Sequence, residues 1–398
     1  MGILARRATR QEVLWCVVCL TAVVYFIVRG PLRGFQTAED FTHILDSSRC
    51  WTFGRNPYLP ADLATCSLDH APASRFVTAP QVQPPSTLIL LSPLARLPLH
   101  VAVAAWLTLL LTLTVVAGVR LARATPGWDL RVSCFLIAFS PVHTALGLGQ
   151  TSMLTCALIA LSLTVQNWWL AGVLLGLAAC FKWHLAAWFL LLAAWNDWRR
   201  FAIAAATCCA AMSSAIIPLK AGSLATWLTG MLSVSTGSRM GSTSSANPLS
   251  YQLLNVDGLL PERWHGGSFV IPLYLAVLLL TATAVMRTND RWTAIAVVAA
   301  ASSIVGYHRF YDASILCLAI PATLALPGTF RWLWVCFATF LVPGQTIAAR
   351  WLGPHITGFW SFILLRHEVI ACLLIWAAFT FYAARQRADP KSLPLAQA

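Results

Sequence analysis

The chain has 398 residues, of which 58% are hydrophobic and 10% are charged, and its formal net charge is +13. Soluble domains carry about 25% charged residues, so this composition excludes an ordinary soluble protein. Apolar runs of ~20 residues recur along the chain, and each is long enough to cross a bilayer as a helix. Because backbone polar groups in lipid must be satisfied internally, the sequence predicts an all-α, polytopic bundle of transmembrane helices.

The positive charge lies largely in short loops between apolar runs, as orientation charges do in membrane proteins. The remaining cations can face anionic lipid or a phosphate group. No P-loop is present, since Gly147-Leu148-Gly149 precedes a helix but follows no strand. Membrane lipids are therefore expected partners, and nucleic acid is not.

The cysteines divide into two groups. Most of the twelve, including Cys19 and Cys134, lie in apolar runs and are expected to act as small hydrophobic residues. Cys50 and Cys66 both lie in the first polar loop. They form a disulfide if that loop is outside the cytoplasm, and two unpaired thiols are the equal alternative.

The N-terminal segment has three arginines before an apolar run over 13–28, as a signal sequence does. No small-residue cleavage site follows, because Arg29-Gly30-Pro31 stands there instead. We therefore expect a retained first span with its N-terminus in the cytoplasm.

Twelve spans are predicted in one membrane domain, 1–398, with a short or re-entrant helix over 88–97. A first long polar loop covers 30–85, a second covers 218–268, and a tail covers 385–398. The spans are approximately 13–28, 99–119, 132–146, 151–165, 168–181, 184–194, 201–217, 269–286, 292–305, 311–326, 332–349 and 361–384.

This arrangement predicts the topology. With both termini cytoplasmic, the basic turns at 120–131, 196–200 and 287–291 fall inside, in agreement with the positive-inside tendency. Both long polar loops then fall outside, together with Gln150 and the segments 182–184 and 307–312. The polar residues with functional character are expected on one membrane face.

Glu39 and Asp40 open a short helical pattern in the first loop. An aspartate at the membrane surface can accept a proton from a sugar hydroxyl as that hydroxyl attacks. The alternative, which spacing alone favours, is a charge that stabilises a helix N-terminus.

The segment 307–312, with the sequence YHRFYD, places ionisable groups between two apolar runs, where such groups usually mark function. His308 and Arg309 can hold a phosphate, Arg309 through its bidentate geometry. The structural alternative is an Arg309–Asp312 pair at helical spacing that closes a turn.

Lys182 interrupts a long apolar stretch and can neutralise a lipid phosphate; a snorkelling lysine at a helix end is the alternative. Gln150 is a candidate substrate contact or a helix cap. No zinc-type spacing and no nucleophile elbow occur, so no metal ligand is assigned. The other candidate substrate contacts, some of which can equally be ordinary loop residues, are Glu39, Asn56, Tyr58, His184, Arg239, Asn247, Gln252, Tyr311 and Asp312.

Five short motifs, taken together and in chain order, resemble glycosyltransferase family 87 over about three quarters of the chain. The resemblance rests on Asp40-Phe41 followed by Gly54-Arg55-Asn56-Pro57-Tyr58, on Pro84-Pro85 with Ser92-Pro93-Leu94, on Gly149-Gln150, on Phe181-Lys182 ahead of Trp198-Arg199-Arg200, and on the segment 307–312. The chain departs from the family pattern at Trp183-His184, where a proline is usual, at Asn247-Pro248-Leu249-Ser250 with Gln252, and at His308-Arg309, where a histidine pair is usual.

The resemblance implies a GT-C fold and an inverting hexosyltransferase in a bacterial plasma membrane, with mannose as the favoured sugar. The donor would be a polyprenyl-phosphate-sugar, and the acceptor a hydroxyl of a glycolipid or glycan on the extracytoplasmic side. Asp40 would be the general base, while Lys182, His308 and Arg309 would cradle the leaving phosphate. No cofactor is implied, and a divalent metal ion stays open.

Three alternatives remain in view. A transporter or lipid flippase also has many spans and polar groups at membrane depth, but the polar residues crowd at one face and no inverted repeat is visible. An inactive subunit of a wall-synthesis complex is the second alternative, and a related lipid-linked transferase acting on protein or lipid A is the third.

Overall fold

The protein is described by a computed structural model that covers residues 10–66, 82–218, 223–235, 250–261, 264, 269–352, 355 and 358–386. Eighteen α-helices occur in these ranges and no strand does, which confirms the all-α prediction. The only bridge-type backbone pairing within them joins Leu253 to Arg309. Arg239 and Asn247 lie outside the described residues.

The first half of the chain begins with a long helical run that extends to Thr52. Its elements are α1 (Arg10–Ile27), a π-helical turn (Val28–Leu32), α2 (Arg33–Gln36), α3 (Glu39–Thr52), α4 (Pro60–Cys66), α5 (Pro85–Ala95), α6 (Leu99–Arg123), α7 (Leu130–Ala138), α8 (Ser140–Leu148) and α9 (Thr151–Thr164).

The second half combines long helices with short 3-10 segments near the site. Its elements are α10 (Trp168–Asn196), α11 (Trp198–Ile216), α12 (Ser223–Ser235), 3-10 turns Ser250–Gln252 and Val256–Leu259, α13 (Val270–Arg287), α14 (Arg291–Ile304), a 3-10 helix Phe310–Ala319 that continues into α15 (Ile320–Ala325), a 3-10 turn Gly328–Phe330, α16 (Leu333–Ala338), α17 (Gly344–Trp351) and α18 (Gly358–Gln386).

Five helical stretches are long and apolar enough to cross a membrane: the run Val13–Thr52, α6, α10, α13 and α18. The pair α7 and α8, bent by 47°, makes a sixth if it is one span. Four shorter apolar stretches accompany them: Pro85–Ala95, Thr151–Thr164, Arg291–Ile304 and Phe310–Ala325. The membrane character is therefore supported, whereas twelve spans and the GT-C fold stay predictions.

Two of the predicted continuous spans are broken at proline. In the predicted span 132–146, Phe139 leaves the helical region (ψ 107) ahead of Pro141, and the Ser140 amide donates to the Phe340 carbonyl at 2.9 Å. The predicted span 332–349 is wrong as a single helix, because α16 ends at Ala338 and α17 starts after Pro343. Proline has no amide to donate to the carbonyl four residues before it, and its ring crowds that carbonyl, so a regular helix does not continue through Pro141 or Pro343.

α10 reverses direction at Lys182, although its 29 residues would suit one crossing by length. The backbone of Lys182 is non-helical (φ −149, ψ 78). Cβ atoms built on Gly172 and Gly176 would meet α11 at Arg200 and Ala204, respectively. A straight α10 would put Asn196 about 36 Å from Gly172, too far for Arg200 to return. The halves on either side of Lys182 therefore run in opposite directions.

The core is centred on α9 and α14. Every residue from Thr151 to Ser162 and from Thr293 to Ile304 is buried. Helices that are apolar on all sides belong in the interior, so other elements surround these two. The start of α9 and the end of α14 lie at the same end of the bundle, because Ser152 contacts Asp312, shortly after α14.

Two disulfides fasten the first elements. Cys50–Cys66 joins α3 to α4 in the first polar loop. Cys19–Cys134 joins α1 to α7, with the two Cα atoms 5.4 Å apart. The expectation that Cys19 and Cys134 act only as small hydrophobic residues is therefore wrong; sequence periodicity did not reveal that α1 packs against α7.

Candidate active site

The start of α3 is fixed by close packing around Gly149. The Phe41 ring stacks on Trp106 with centroids 5.0 Å apart, and Trp106 Nε1 donates to the Gly149 carbonyl at 2.8 Å. A Cβ at Gly149 would lie 2.7 Å from Phe41 Cβ, and its φ of +68 favours glycine. Ala38, just before α3, has a left-handed φ of 35. These contacts place the first turn of α3 against the end of α8.

This packing brings Asp40 to Gln150. The amide Nε2 of Gln150 donates to Asp40 Oδ2. The Gln150 backbone amide is itself held by the Ala145 carbonyl at 2.8 Å. Asp40 is half-buried and Glu39 is exposed. Gln150 thus orients the Asp40 carboxylate at an accessible position, and its own Oε1 has no hydrogen-bond partner among the described residues.

A buried ion pair lies behind this carboxylate. Lys182 Nζ contacts Asp312 Oδ1 and donates to Ser152 Oγ at 2.7 Å. Ser152 Oγ in turn donates to Asp312 Oδ1 at 2.6 Å. The side chains of Lys182 and Asp312 are 9% and 1% exposed, so solvent screens their attraction little. Lys182 also lies 4.9 Å from the Tyr311 ring centroid.

The reversal at Lys182 is supported by the segment that starts with Pro84-Pro85. A helix break leaves carbonyl groups without their usual amide partners. Ser86 Oγ and Thr87 Oγ1 donate to the Cys180 carbonyl at 2.9 and 2.7 Å. The start of α5 therefore satisfies the backbone that the break exposes and holds Lys182 in place.

Arg309 is a cation with spare donor capacity. Its Nε donates to the Tyr307 hydroxyl at 2.6 Å, while its buried Nη2 has no hydrogen-bond partner in the described part of the chain. Burial raises the pKa of Tyr307, so the phenol stays protonated and its oxygen accepts this bond. Burial opposes the charged form of Arg309, but the Asp40 carboxylate and the hydrogen bond with Tyr307 favour it, and the pKa of Arg309 is raised.

The structural alternative, an ion pair between the Arg309 and Asp312 side chains, is wrong. Asp312 Oδ2 accepts from the backbone amide of Arg309 at 3.1 Å, and its ion partner is Lys182. The half-buried Arg309 acts electrostatically on Asp40 together with Lys182.

His308 is fully buried beside this ion pair. Its backbone amide donates to Asn255 Oδ1 at 3.1 Å, which ties it to the end of the second loop. The His184 ring lies 5.0 Å from the His308 ring. His184, His308 and Asp312 bring one possible metal-ligand atom each within 4.8 Å of one another.

Other predicted site residues hold the loops. Asn56 Oδ1 accepts from the Tyr58 backbone amide at 3.0 Å, and the Asn56 backbone amide donates to Asp62 Oδ2. Burial raises the pKa of Tyr58, whose protonated hydroxyl donates to the Gln83 carbonyl at 2.9 Å. Gln252 is half-buried in a 3-10 turn, next to the Leu253–Arg309 bridge.

Several residues at the site had no signal of their own in the sequence: Ser152, Asn255, Trp106, Ser86 and Thr87. Serine and threonine occur throughout the spans, and only the fold shows which of them meet Lys182 or its backbone. Ser152 follows Gln150 by two positions, so the start of α9 was a recognisable location, but its contact with Asp312 was not.

Comparison with known families gives one match. The model of "Glycosyltransferase family 87" matches residues 82–321 of the 398. The match contains Gln150, Lys182 and the segment 307–312, and it starts after Asp40. Searches of curated proteins and of solved structures give no significant match. Because the family model covers more than half of the sequence, the chain belongs to glycosyltransferase family 87.

Proposed function

We propose that the protein transfers a hexose, with mannose favoured, from a polyprenyl-phosphate-sugar to a hydroxyl of a glycolipid or glycan. The observation that carries this proposal is the juxtaposition of the Asp40 carboxylate, oriented by Gln150, with the cations Arg309 and Lys182. A transferase of this kind needs a base on one side of the anomeric carbon and positive charge on the other.

In the proposed reaction, Asp40 removes the proton from the acceptor hydroxyl. The hydroxyl oxygen forms a bond to the anomeric carbon while the bond from that carbon to the phosphate oxygen breaks. The polyprenyl phosphate leaves with the electron pair, and the configuration at the anomeric carbon inverts. The leaving group is already anionic, so it needs cationic stabilisation more than a proton donor.

The two cations have different positions in this scheme. Arg309 is half-buried and has an unpartnered guanidinium nitrogen within the described residues, so it is the group placed to bind a phosphate oxygen directly. Lys182 is buried and paired with Asp312, so its charge acts on the phosphate from deeper in the protein. Glu39 and Tyr311 are proposed to line the sugar and acceptor side, and His184, beside His308, the side of the leaving phosphate. Arg239, Asn247 and Gln252 are proposed as contributions of the second loop.

The proposal includes a location and a fold. The protein is an integral membrane protein of GT-C type in a bacterial plasma membrane, with both termini cytoplasmic and the site on the opposite face. The lipid tail of the donor lies between spans, which explains how the enzyme works without a soluble nucleotide-binding domain.

A transfer assay tests this function. Membranes that contain the protein are incubated with radiolabelled polyprenyl-phosphate-mannose and, separately, with the corresponding glucose and arabinose lipids. We expect label to enter a glycolipid or glycan fraction from at least one donor, with inverted configuration in the product. If no donor gives transfer but labelled lipid crosses the bilayer in a flipping assay, the protein is a flippase and the proposal is wrong.

A further inference from the structure

The tautomer of His308 is fixed by its surroundings. Its Nε2 lies 2.8 Å from the Val305 carbonyl oxygen, which can only accept, so Nε2 carries the ring proton. In the neutral ring, the lone pair is then on Nδ1. That atom is buried without a hydrogen-bond partner among the described residues, 3.8 Å from Asp312 Oδ2. Two buried acceptors that face each other are unfavourable unless a proton or a metal ion lies between them.

A second buried ring nitrogen without a partner among the described residues completes the group. His184 Nε2 is buried and has no hydrogen-bond partner within the described ranges. The ligand atoms of His184, His308 and Asp312 all lie within 4.8 Å of one another. Bonds of about 2.0–2.2 Å to one tetrahedral ion would bring them to roughly 3.5 Å from one another, so the side chains would move inward when the ion binds. Asp312 Oδ1 is occupied by Lys182 and Ser152, which leaves Oδ2 for an ion.

We propose that His184, His308 and Asp312 form a binding site for one divalent transition-metal ion of the zinc type. Two imidazole nitrogens with one carboxylate oxygen suit zinc, iron or manganese rather than magnesium or calcium. The Nε2–H bond of His308 to a backbone carbonyl is the outer contact that commonly orients a metal-bound histidine. Histidines this far apart in sequence produce no spacing pattern, so no motif indicated the site.

Three protein ligands leave coordination positions open. The ion and Lys182 together exceed the negative charge of Asp312, and an anionic ligand supplies the difference. Resting on the proposed function, that ligand is an oxygen of the donor phosphate, so the ion would stabilise the same leaving group as Arg309. The metal site itself does not depend on which sugar is transferred.

Metal content tests the site without an activity measurement. Full-length protein is purified in detergent, freed of any polyhistidine tag, stripped with a chelator, incubated with Zn²⁺ and washed. We expect about one Zn²⁺ per chain, as for a site of three protein ligands. His184→Gln and His308→Gln should each lower the bound zinc roughly tenfold or more. His100→Gln, at an exposed histidine outside the group, is the matched control and should keep full occupancy.

A second measurement covers variants that fail to fold. Co²⁺ bound to the wild-type protein should give the d–d absorption bands of an imidazole-ligated ion, displaceable by Zn²⁺. Zinc bound equally by wild type and both folded variants, or no such Co²⁺ bands in the wild type, overturns the proposal. A protein that binds the ion but transfers no sugar would instead contradict the proposed function and leave the site standing.

Discussion

At the residue scale, the site has two layers. Asp40, Arg309 and Tyr311 are half-buried, whereas Lys182 and Asp312 lie behind them in the core. A buried ion pair adds little net stability, but the loss of one partner leaves a charge without compensation. The inner layer therefore fixes the positions of Lys182 and of the Arg309 backbone, and the outer layer is free to meet substrate.

Asp312→Asn should lower the free energy of unfolding by about 3–5 kcal/mol, because it leaves the buried Lys182 without its partner carboxylate. The paired change Lys182→Met with Asp312→Leu removes both charges and should recover part of that loss. Thermal unfolding in detergent measures each variant against wild type. An Asp312→Asn protein as stable as wild type would show that Lys182 does not need Asp312 as its partner for stability.

Gln150→Leu should reduce sugar transfer by about 10²-fold, since a small displacement of a catalytic group has effects of that size. Donor affinity should stay unchanged, because Gln150 contacts Asp40 and neither cation. Turnover and donor binding are measured on the same preparation. A variant with weakened donor binding and normal turnover would place Gln150 in the donor site instead.

At the element scale, breaks in helices build the site. Lys182 occupies a reversal, Gly149 ends α8 ahead of Gln150, and the segment 307–312 joins α14 to a 3-10 helix. The sequence predicted these interruptions, because polar residues and glycine there divide apolar runs. It predicted less well where proline bends a span, as at Pro141 and Pro343, because the direction after a bend depends on packing.

Gly149→Ala should destabilise the protein by about 1–2 kcal/mol for the left-handed backbone, with a further cost for the contact with Phe41. Transfer should also fall, because that contact positions the start of α3. Gly118→Ala, within α6, is the control: a Cβ there meets nothing within 4 Å, and alanine favours helix. If Gly149→Ala and Gly118→Ala were equally stable, neither the backbone conformation nor the packing at Gly149 would require glycine.

At the scale of the whole molecule, residues from distant parts of the chain meet at one end of the bundle. The spacing of Asp40, Lys182 and the segment 307–312 did not predict their contact; the expectation came from orientation charges, which placed them on one membrane face. Only the three-dimensional packing shows that Ser152 and Asn255 belong to the site. It also shows that the ion partner of Asp312 is Lys182 and not Arg309.

Thiol labelling tests the proposed sidedness. In a background without other accessible cysteines, Phe53→Cys, near the end of α3, should react with a membrane-impermeant reagent in intact cells. Arg131→Cys, at the start of α7, should react only after permeabilisation; both side chains are exposed. The opposite labelling pattern would place the site in the cytoplasm, where a polyprenyl-phosphate-sugar facing outward could not reach it.

The most direct test of the central claim is the comparison of wild type with Asp40→Asn in two assays on one preparation: donor binding and sugar transfer. Asparagine preserves the shape of the side chain but cannot take a proton from the acceptor. Asp129→Asn, at the N-cap of α7, is the control, because asparagine caps a helix as well as aspartate does. We predict that Asp40→Asn binds the donor like wild type and loses transfer by a factor of about 10² or more, the range for general base catalysis. Transfer by Asp40→Asn at the wild-type rate would contradict the assignment of Asp40 as the base.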